Sequence, residues 1–252
     1  MPFHFFCATF SNMVVQRYSG KKRKTAPKTA YRIPRQVALN PRSGGYVGQE
    51  VKFYDSYKVS TVPNSFATGN YDPSTVNCLY APTKGTGATN RNGLKTTIKS
   101  IHVQFDFAAQ LLETSTGVRY APSVFVAIVA DRQANATQPS PGDVWEAPAA
   151  QSVAILPYRK LENASRFQVL YSKNVTIYPV WTQNGSDVYS QASGRKVWRW
   201  DKYFTKGMTV RHVADGGTVA DISTNSIHLF AWMADTAHSD VLVYQSRVRF
   251  TG

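Results

Sequence analysis

Between residues 101 and 107 apolar and polar side chains take turns: Ile101, Val103, Phe105 and Phe107 alternate with His102, Gln104 and Asp106. A period of two puts one set on each face of a pleated strand, and an α-helix cannot segregate it. The rhythm returns near both ends of the body of the chain. Val51, Phe53, Tyr57 and Val59 alternate with Lys52, Ser56, Lys58 and Ser60, while Leu242, Tyr244, Val248 and Phe250 share one face opposite Arg247 and Arg249. Residues 124–130 are continuously apolar, the pattern of a strand covered on both faces.

Further strands are expected over 167–171, 175–180, 197–204, 208–213 and 227–233, the first two broken at Ser172, Lys173 and Asn174. The stretch 63–92 is rich in Gly, Pro, Asn and Thr and is expected to be a long loop. The only helix-like window, 108–113, is short. Eight or nine strands with no helix beyond a turn or two predict an all-β fold. The architecture that fits is an eight-stranded antiparallel jelly roll, two packed sheets with Greek-key connections.

A second feature divides the chain. Residues 1–49 contain nine Lys or Arg and no Asp or Glu, against a net charge of +14 for all 252 residues. Removing those nine leaves 20 basic and 15 acidic residues for the rest. A run of like charges cannot bury itself, so residues 1–42 are expected to form a disordered basic arm and 43–252 the jelly-roll domain. Pro27, Pro34 and Pro41 keep the arm extended, and Ser43, Gly44, Gly45 and Gly48 make a hinge.

The arm's expected partner is a polyanion, nucleic acid before an anionic membrane. Its candidate nucleic-acid-binding residues are Arg17, Lys21, Lys22, Arg23, Lys24, Lys28, Arg32, Arg35 and Arg42. Such side chains meet phosphates without regard to base, and Tyr18 and Tyr31 offer rings for base stacking. Lys21, Lys22, Arg23, Lys24 and Lys28 also have the form of a nuclear localisation signal. In the body, Arg195, Lys196, Arg199, Lys202 and Lys206 suggest a basic stripe around Trp198 and Trp200. Those two rings and Phe204 share a strand face and read as core in preference to a base-stacking site.

Catalysis finds no support. His4, His102, His212, His228 and His238 lack metal-ligand spacing. There is no Gly-x-Ser-x-Gly elbow and no phosphate-cradling Gly-Lys-Ser/Thr loop. No catalytic residue, metal or cofactor is expected. Cys7 and Cys78 do not make a disulfide framework. No stretch reaches the ~18 apolar residues of a membrane helix, and residues 1–15, interrupted by Ser11 and Asn12, do not read as a secretory signal.

Four runs resemble one family. The segment from Gly45 through Glu50 and Lys52 to Asp55 is similar to the signature that opens the body of capsid proteins from circovirus-like, replication-initiator-encoding, circular single-stranded DNA viruses. The loop with Gly85, Gly87, Arg91 and Gly93, running into a strand at Ile98, resembles another of its signatures. So do Asp131, Arg132 and Gln133, with Pro139 and Asp143 beyond, and Ser165, Arg166 and Phe167 ahead of Lys173. Ser172 stands where that family usually has Asp, and the arm is shorter and mixes Lys with Arg.

The resemblance implies a virion protein, sixty copies of which close into a T=1 icosahedral shell around circular single-stranded DNA. Its implied partners are further copies of itself, the genome, the host nuclear import machinery and an unidentified attachment factor, with residence in the virion and host nucleus and no membrane insertion. Two other readings are a coat protein of a small RNA virus and a carbohydrate-binding β-sandwich module that stacks sugars on exposed Trp and Tyr.

Overall fold

Among the described residues ten strands run in chain order as β1 (Lys52–Thr61), β2 (Lys95–Ala108), β3 (Ser123–Asp131), β4 (Phe167–Thr176), β5 (Trp181–Asn184), β6 (Val188–Gln191), β7 (Arg195–His212), β8 (Ile222–Thr224), β9 (Ser226–Met233) and β10 (Val241–Thr251). One helical turn, α1 (Pro141–Val144), follows β3. The structure is a computed structural model and describes residues 50–63, 66, 69–71, 76–108, 122–146, 157–177, 181–184, 188–191, 194–233 and 240–252.

The strands form a five-stranded sheet in the order β1-β10-β2-β7-β8, a three-stranded sheet β4-β3-β9 and a hairpin β5-β6. Every pairing of these strands is antiparallel. The segment expected to be a long loop lends the smaller sheet its fourth member. Asn70 and Cys78 bridge to Phe230 and His228 on the free edge of β9. Leu229 N–H donates to the Asn77 carbonyl at 2.9 Å and Leu79 N–H to that of Ile227 at 2.8 Å. The smaller sheet with this added segment faces the five-stranded one, and the all-β jelly roll expected from the alternation is present.

Its core lies between the sheets. Ile101, Val103, Phe105 and Phe107 of β2 and Leu242, Tyr244, Val248 and Phe250 of β10 meet Val124, Val126 and Ile128 of β3 and Ile227, Leu229 and Ala231 of β9, all buried. Phe125, Ala127 and Val129 point the other way, into a second cluster with Phe230, Trp232, Trp145, Phe167 and Phe66. That second cluster is why residues 124–130 need no polar alternation: β3 is covered on both faces.

Two expectations are corrected. The break at Ser172, Lys173 and Asn174 is not a turn; these residues pair with Ala127, Val126 and Phe125 within one continuous β4. β4 ends the order of the smaller sheet, so polar side chains there reach water without leaving the ladder. Likewise 197–204 and 208–213 belong to a single strand, β7. Its register with β2 slips between Ile98 and Ser100, and Gly207 takes φ 72° at the irregularity. Of the helix-like window, Ala108 ends β2 and the remainder lies outside the described residues.

β1 keeps its alternation, but the apolar residues face outward. Phe53, Tyr57 and Val59 are exposed. The opposite face carries Lys52, Tyr54, Ser56 and Lys58, where Ser56 Oγ meets Ser246 Oγ at 2.7 Å and Lys58 Nζ donates to Asn77 Oδ1 at 3.4 Å.

Candidate nucleic-acid interface

Arg17, Lys21, Lys22, Arg23, Lys24, Lys28, Arg32, Arg35 and Arg42 all lie outside the described residues, as do Tyr18 and Tyr31. What the structure gives is the charge layout of the body. On the outer face of the five-stranded sheet the register aligns Asp55, Arg247, His102 and Asp201 across β1, β10, β2 and β7. Arg247 donates twice to Asp55, at 2.7 and 2.6 Å. His102 Nδ1 lies 2.7 Å from one oxygen of Asp201, and Arg199 Nε lies 2.8 Å from the other. Arg195 Nε reaches Asp106 at 2.7 Å, with a second bond from Nη2. The hydrogen bonds from Arg247 hold the Asp55 carboxyl below the usual carboxylate range. A phosphate arriving here competes with a carboxylate at each of these arginines, so the middle of the sheet is electrostatically compensated.

This layout corrects the basic stripe. Arg195 and Arg199 take the outer face with their acidic partners. Lys196 and Lys202 share strand parity with Trp198 and Trp200, and Lys206 sits in the irregular part of β7. Trp198 stacks on Phe105, ring centres 5.0 Å apart, and its indole N–H donates to Tyr171 Oη at 2.9 Å. Trp200 packs on Tyr171 at 5.3 Å. Both rings are therefore core, as their shared face suggested, and neither is offered to a base.

The cations in the recognised runs do something else. Lys52 is 2% exposed and donates to the Gly87 carbonyl at 3.1 Å and to Asn92 Oδ1 at 2.6 Å. Arg91 is wholly buried; its guanidinium donates to the carbonyls of Pro82 at 3.2 Å and Gly93 at 2.6 Å, and to that of Ala214. Together they fasten the loop ahead of β2 from both sides. The other two runs meet each other: Arg166 donates to both oxygens of buried Asp131, at 2.9 and 2.8 Å. That carboxylate also accepts the Gln133 backbone N–H at 3.0 Å. Sequence reasoning left the roles of these four residues open. The available signal was parity, since Lys52 falls on the same strand face as Tyr54 and Ser56.

His212, His228 and Cys78 pack against the cores. Burial pushes His212 down to about 4, helped by neighbouring Arg91, and pushes His228 down to about 4. His228 Nε2 lies 2.8 Å from Ser226 Oγ. Burial raises the free thiol of Cys78 to about 11, although the residue as a whole keeps some surface. Among the described residues no three His, Cys, Asp or Glu side chains gather as a metal site.

Comparison with known proteins gives one family. The model of the geminivirus coat protein/nuclear export factor BR1 family matches residues 7–252. A search of curated proteins finds no match. Among solved structures, the crystal structure of the 60-mer BFDV capsid protein is similar over 82% of this chain and 84% of that one, at 7% identity and a TM-score of 0.21. A superposition of that quality says nothing of how this chain assembles.

Proposed function

Because the chain belongs to the geminivirus coat protein/nuclear export factor BR1 family, it is a coat protein of a single-stranded DNA virus, a structural virion component and not an enzyme, and we propose that it forms a closed DNA-containing shell. In this reading residues 43–252 tile a T=1 icosahedron of sixty copies, and residues 1–42 grip circular single-stranded DNA inside it. The runs similar to circovirus-like capsid proteins support a subunit of that kind, while the family model that matches is the geminivirus one.

The observation that carries the DNA-binding part is the contrast in charge. Nine basic residues without an acid precede a body in which Arg195, Arg199 and Arg247 on the outer sheet face are bound to aspartates. Nine charges on each of sixty subunits place about 540 positive charges in the shell, each offsetting roughly one phosphate. Lys21, Lys22, Arg23, Lys24 and Lys28 would first engage the host import machinery and then, after assembly, the genome.

Edge strand β1 supports self-association, since it shows solvent Phe53, Tyr57 and Val59 and, among the described residues, no strand pairs with its outer side, where Phe53 N–H alone donates to the Ala88 carbonyl. Of the platforms that the carbohydrate-module reading calls on, Trp145, Trp198, Trp200 and Trp232 pack against the two cores, while Tyr57, Tyr158 and Tyr203 are exposed. Electron microscopy of the chain expressed alone tests the proposal. Closed particles about 20 nm across are expected for sixty such subunits at protein density; monomers that persist across salt and pH would refute the shell.

A further inference from the structure

One end of the sandwich breaks the rule of compensated charge. Lys95, at the start of β2, pairs directly with Arg211, near the end of β7. Like charges placed opposite each other in a ladder repel, and natural sheets normally avoid them. Arg132, at the exit of β3, lines the same open cleft of about 550 Å³, and Thr209, Thr224 and Asn225 complete its wall. No Asp or Glu lines it among the described residues. The carboxylate next to Arg132 in sequence, Asp131, is buried and already taken by Arg166. Arg132 itself touches only neutral acceptors, the Ser165 carbonyl at 3.3 Å and Gln168 Oε1 at 3.4 Å. Lys95, Arg132 and Arg211 are all exposed. Arg195, Arg199 and Arg247, by contrast, each hold an aspartate.

The cleft is also well made. Asn225 adopts φ 59°, a left-handed conformation that Asn tolerates, and its amide donates to the Thr209 carbonyl at 2.6 Å. Thr224 Oγ1 accepts the backbone N–H of Arg211 at 3.2 Å. These bonds fix the wall from which the cations project. The register places the cleft at the end of the sheet where the described chain begins: Lys52 pairs with Phe250, Phe250 with Ile98, and Ile98 with Met208, three residues from Lys95 and Arg211 respectively.

We propose that the cleft of Lys95, Arg132 and Arg211 binds backbone phosphate of single-stranded DNA, giving the jelly-roll body a nucleic-acid contact of its own at the end of the sheet where β1 begins. Three cations without acids match phosphate diesters, and the neutral threonine and asparagine lining adds polar groups without selecting a base. A bound phosphate would relieve the repulsion between Lys95 and Arg211. The inference rests on the reading of the chain as a DNA-packaging coat protein, and its test separates the two.

The experiment uses the full chain and a 30-nucleotide oligo-dT, with affinity measured from low to moderate salt. Three proteins are compared: the unaltered chain, the Lys95→Gln/Arg211→Gln variant, and an arm variant in which Lys21, Lys22, Arg23 and Lys24 become Gln. Removing two phosphate contacts should lower the slope of log K against log salt by about 1.4, with oligo-dC behaving like oligo-dT. Melting should stay level or rise, because a repulsive pair is gone. A cleft variant with an unchanged slope overturns the inference, and a reduced slope in the arm variant alone leaves only the arm reading standing. The reverse pattern supports the cleft and refutes the arm.

Should the double variant fail to fold, Arg132→Gln, which lies outside the ladder, takes its place with an expected loss of about 0.7 in slope. An unchanged slope there is equally fatal. Stabilisation of the chain by inorganic phosphate without any change in the DNA slope would assign the cleft to a free ion and overturn the proposal. Loss of particle formation with the DNA slope intact would assign it to a carboxylate of a neighbouring copy, with the same consequence.

Discussion

Lys52, Arg91 and Arg166 resemble, in sequence, the very residues a DNA-binding protein would present, and all three are turned to structure. Arg91 holds three carbonyls and Arg166 a buried carboxylate, so a basic residue inside a glycine-rich or strand context was not readable as ligand or staple from one sequence alone. The Arg166–Asp131 pair is the sharper case. Its carboxylate is fully buried while the guanidinium keeps about a quarter of its surface. Removing one partner strands a charge, so Arg166→Met should cost on the order of 3 kcal/mol in urea unfolding, and Asp131→Asn/Arg166→Met markedly less than the sum of the singles.

The buried histidines set the response to acid. Unfolded imidazoles take up protons near the ordinary value of about 6.5, whereas folded His212 and His228 do so only at about 4. Between those values the unfolded chain binds more protons, so stability is complete above 6.5 and declines as pH falls towards 4. Each site forfeits on the order of 3 kcal/mol across that window. Asp55, lowered by Arg247, and Asp221, lowered by the Thr218 hydroxyl, add losses in the same direction at lower pH. The urea midpoint should therefore drop between pH 7 and pH 4.5, and His228→Gln should flatten the profile whatever its effect on absolute stability.

Among the elements, β2 and β10 were legible because their alternation states which face is buried, and β3 because its unbroken apolar run states that both faces are. β7 was not, since Gly207 reads as a terminator in sequence. The structure uses its positive φ to carry one strand through an irregular register, and an added Cβ would collide with the Thr97 methyl. Gly207→Ala should then destabilise the body by about 1–3 kcal/mol, measured by denaturant midpoint. β4 was split for a related reason: polar residues in an edge strand look like a turn.

β1 misleads in another way. Its alternation is genuine but inverted, because its inner face meets Ser246 and Asn77 while Tyr57 and Val59 face outward. If that face is covered by another copy, Tyr57→Lys/Val59→Lys should leave melting within about 0.5 kcal/mol of wild type and abolish particles in sedimentation. Normal particles from that variant would remove β1 from the contact.

For the molecule as a whole, the jelly roll and the coat-protein class were both readable, the first from strand periodicity and the second from four short runs in order. The masses of charge were readable too, but not their pairing. Asp55 and Asp106 lie far in sequence from Arg247 and Arg195, and only the packing of strands joins them, whereas Asp201 and Arg199 sit two residues apart on β7. That pairing sharpens the division proposed between a sheet face where arginines hold aspartates and an uncompensated leader.

The salt dependence of single-stranded DNA binding tests that division most directly, using the full chain and a version with all nine arm cations changed to Gln. A fall in slope of up to about 6, with the β-rich circular dichroism and melting of the body unchanged, is the predicted result. An unaltered slope and affinity in the neutralised version would contradict it.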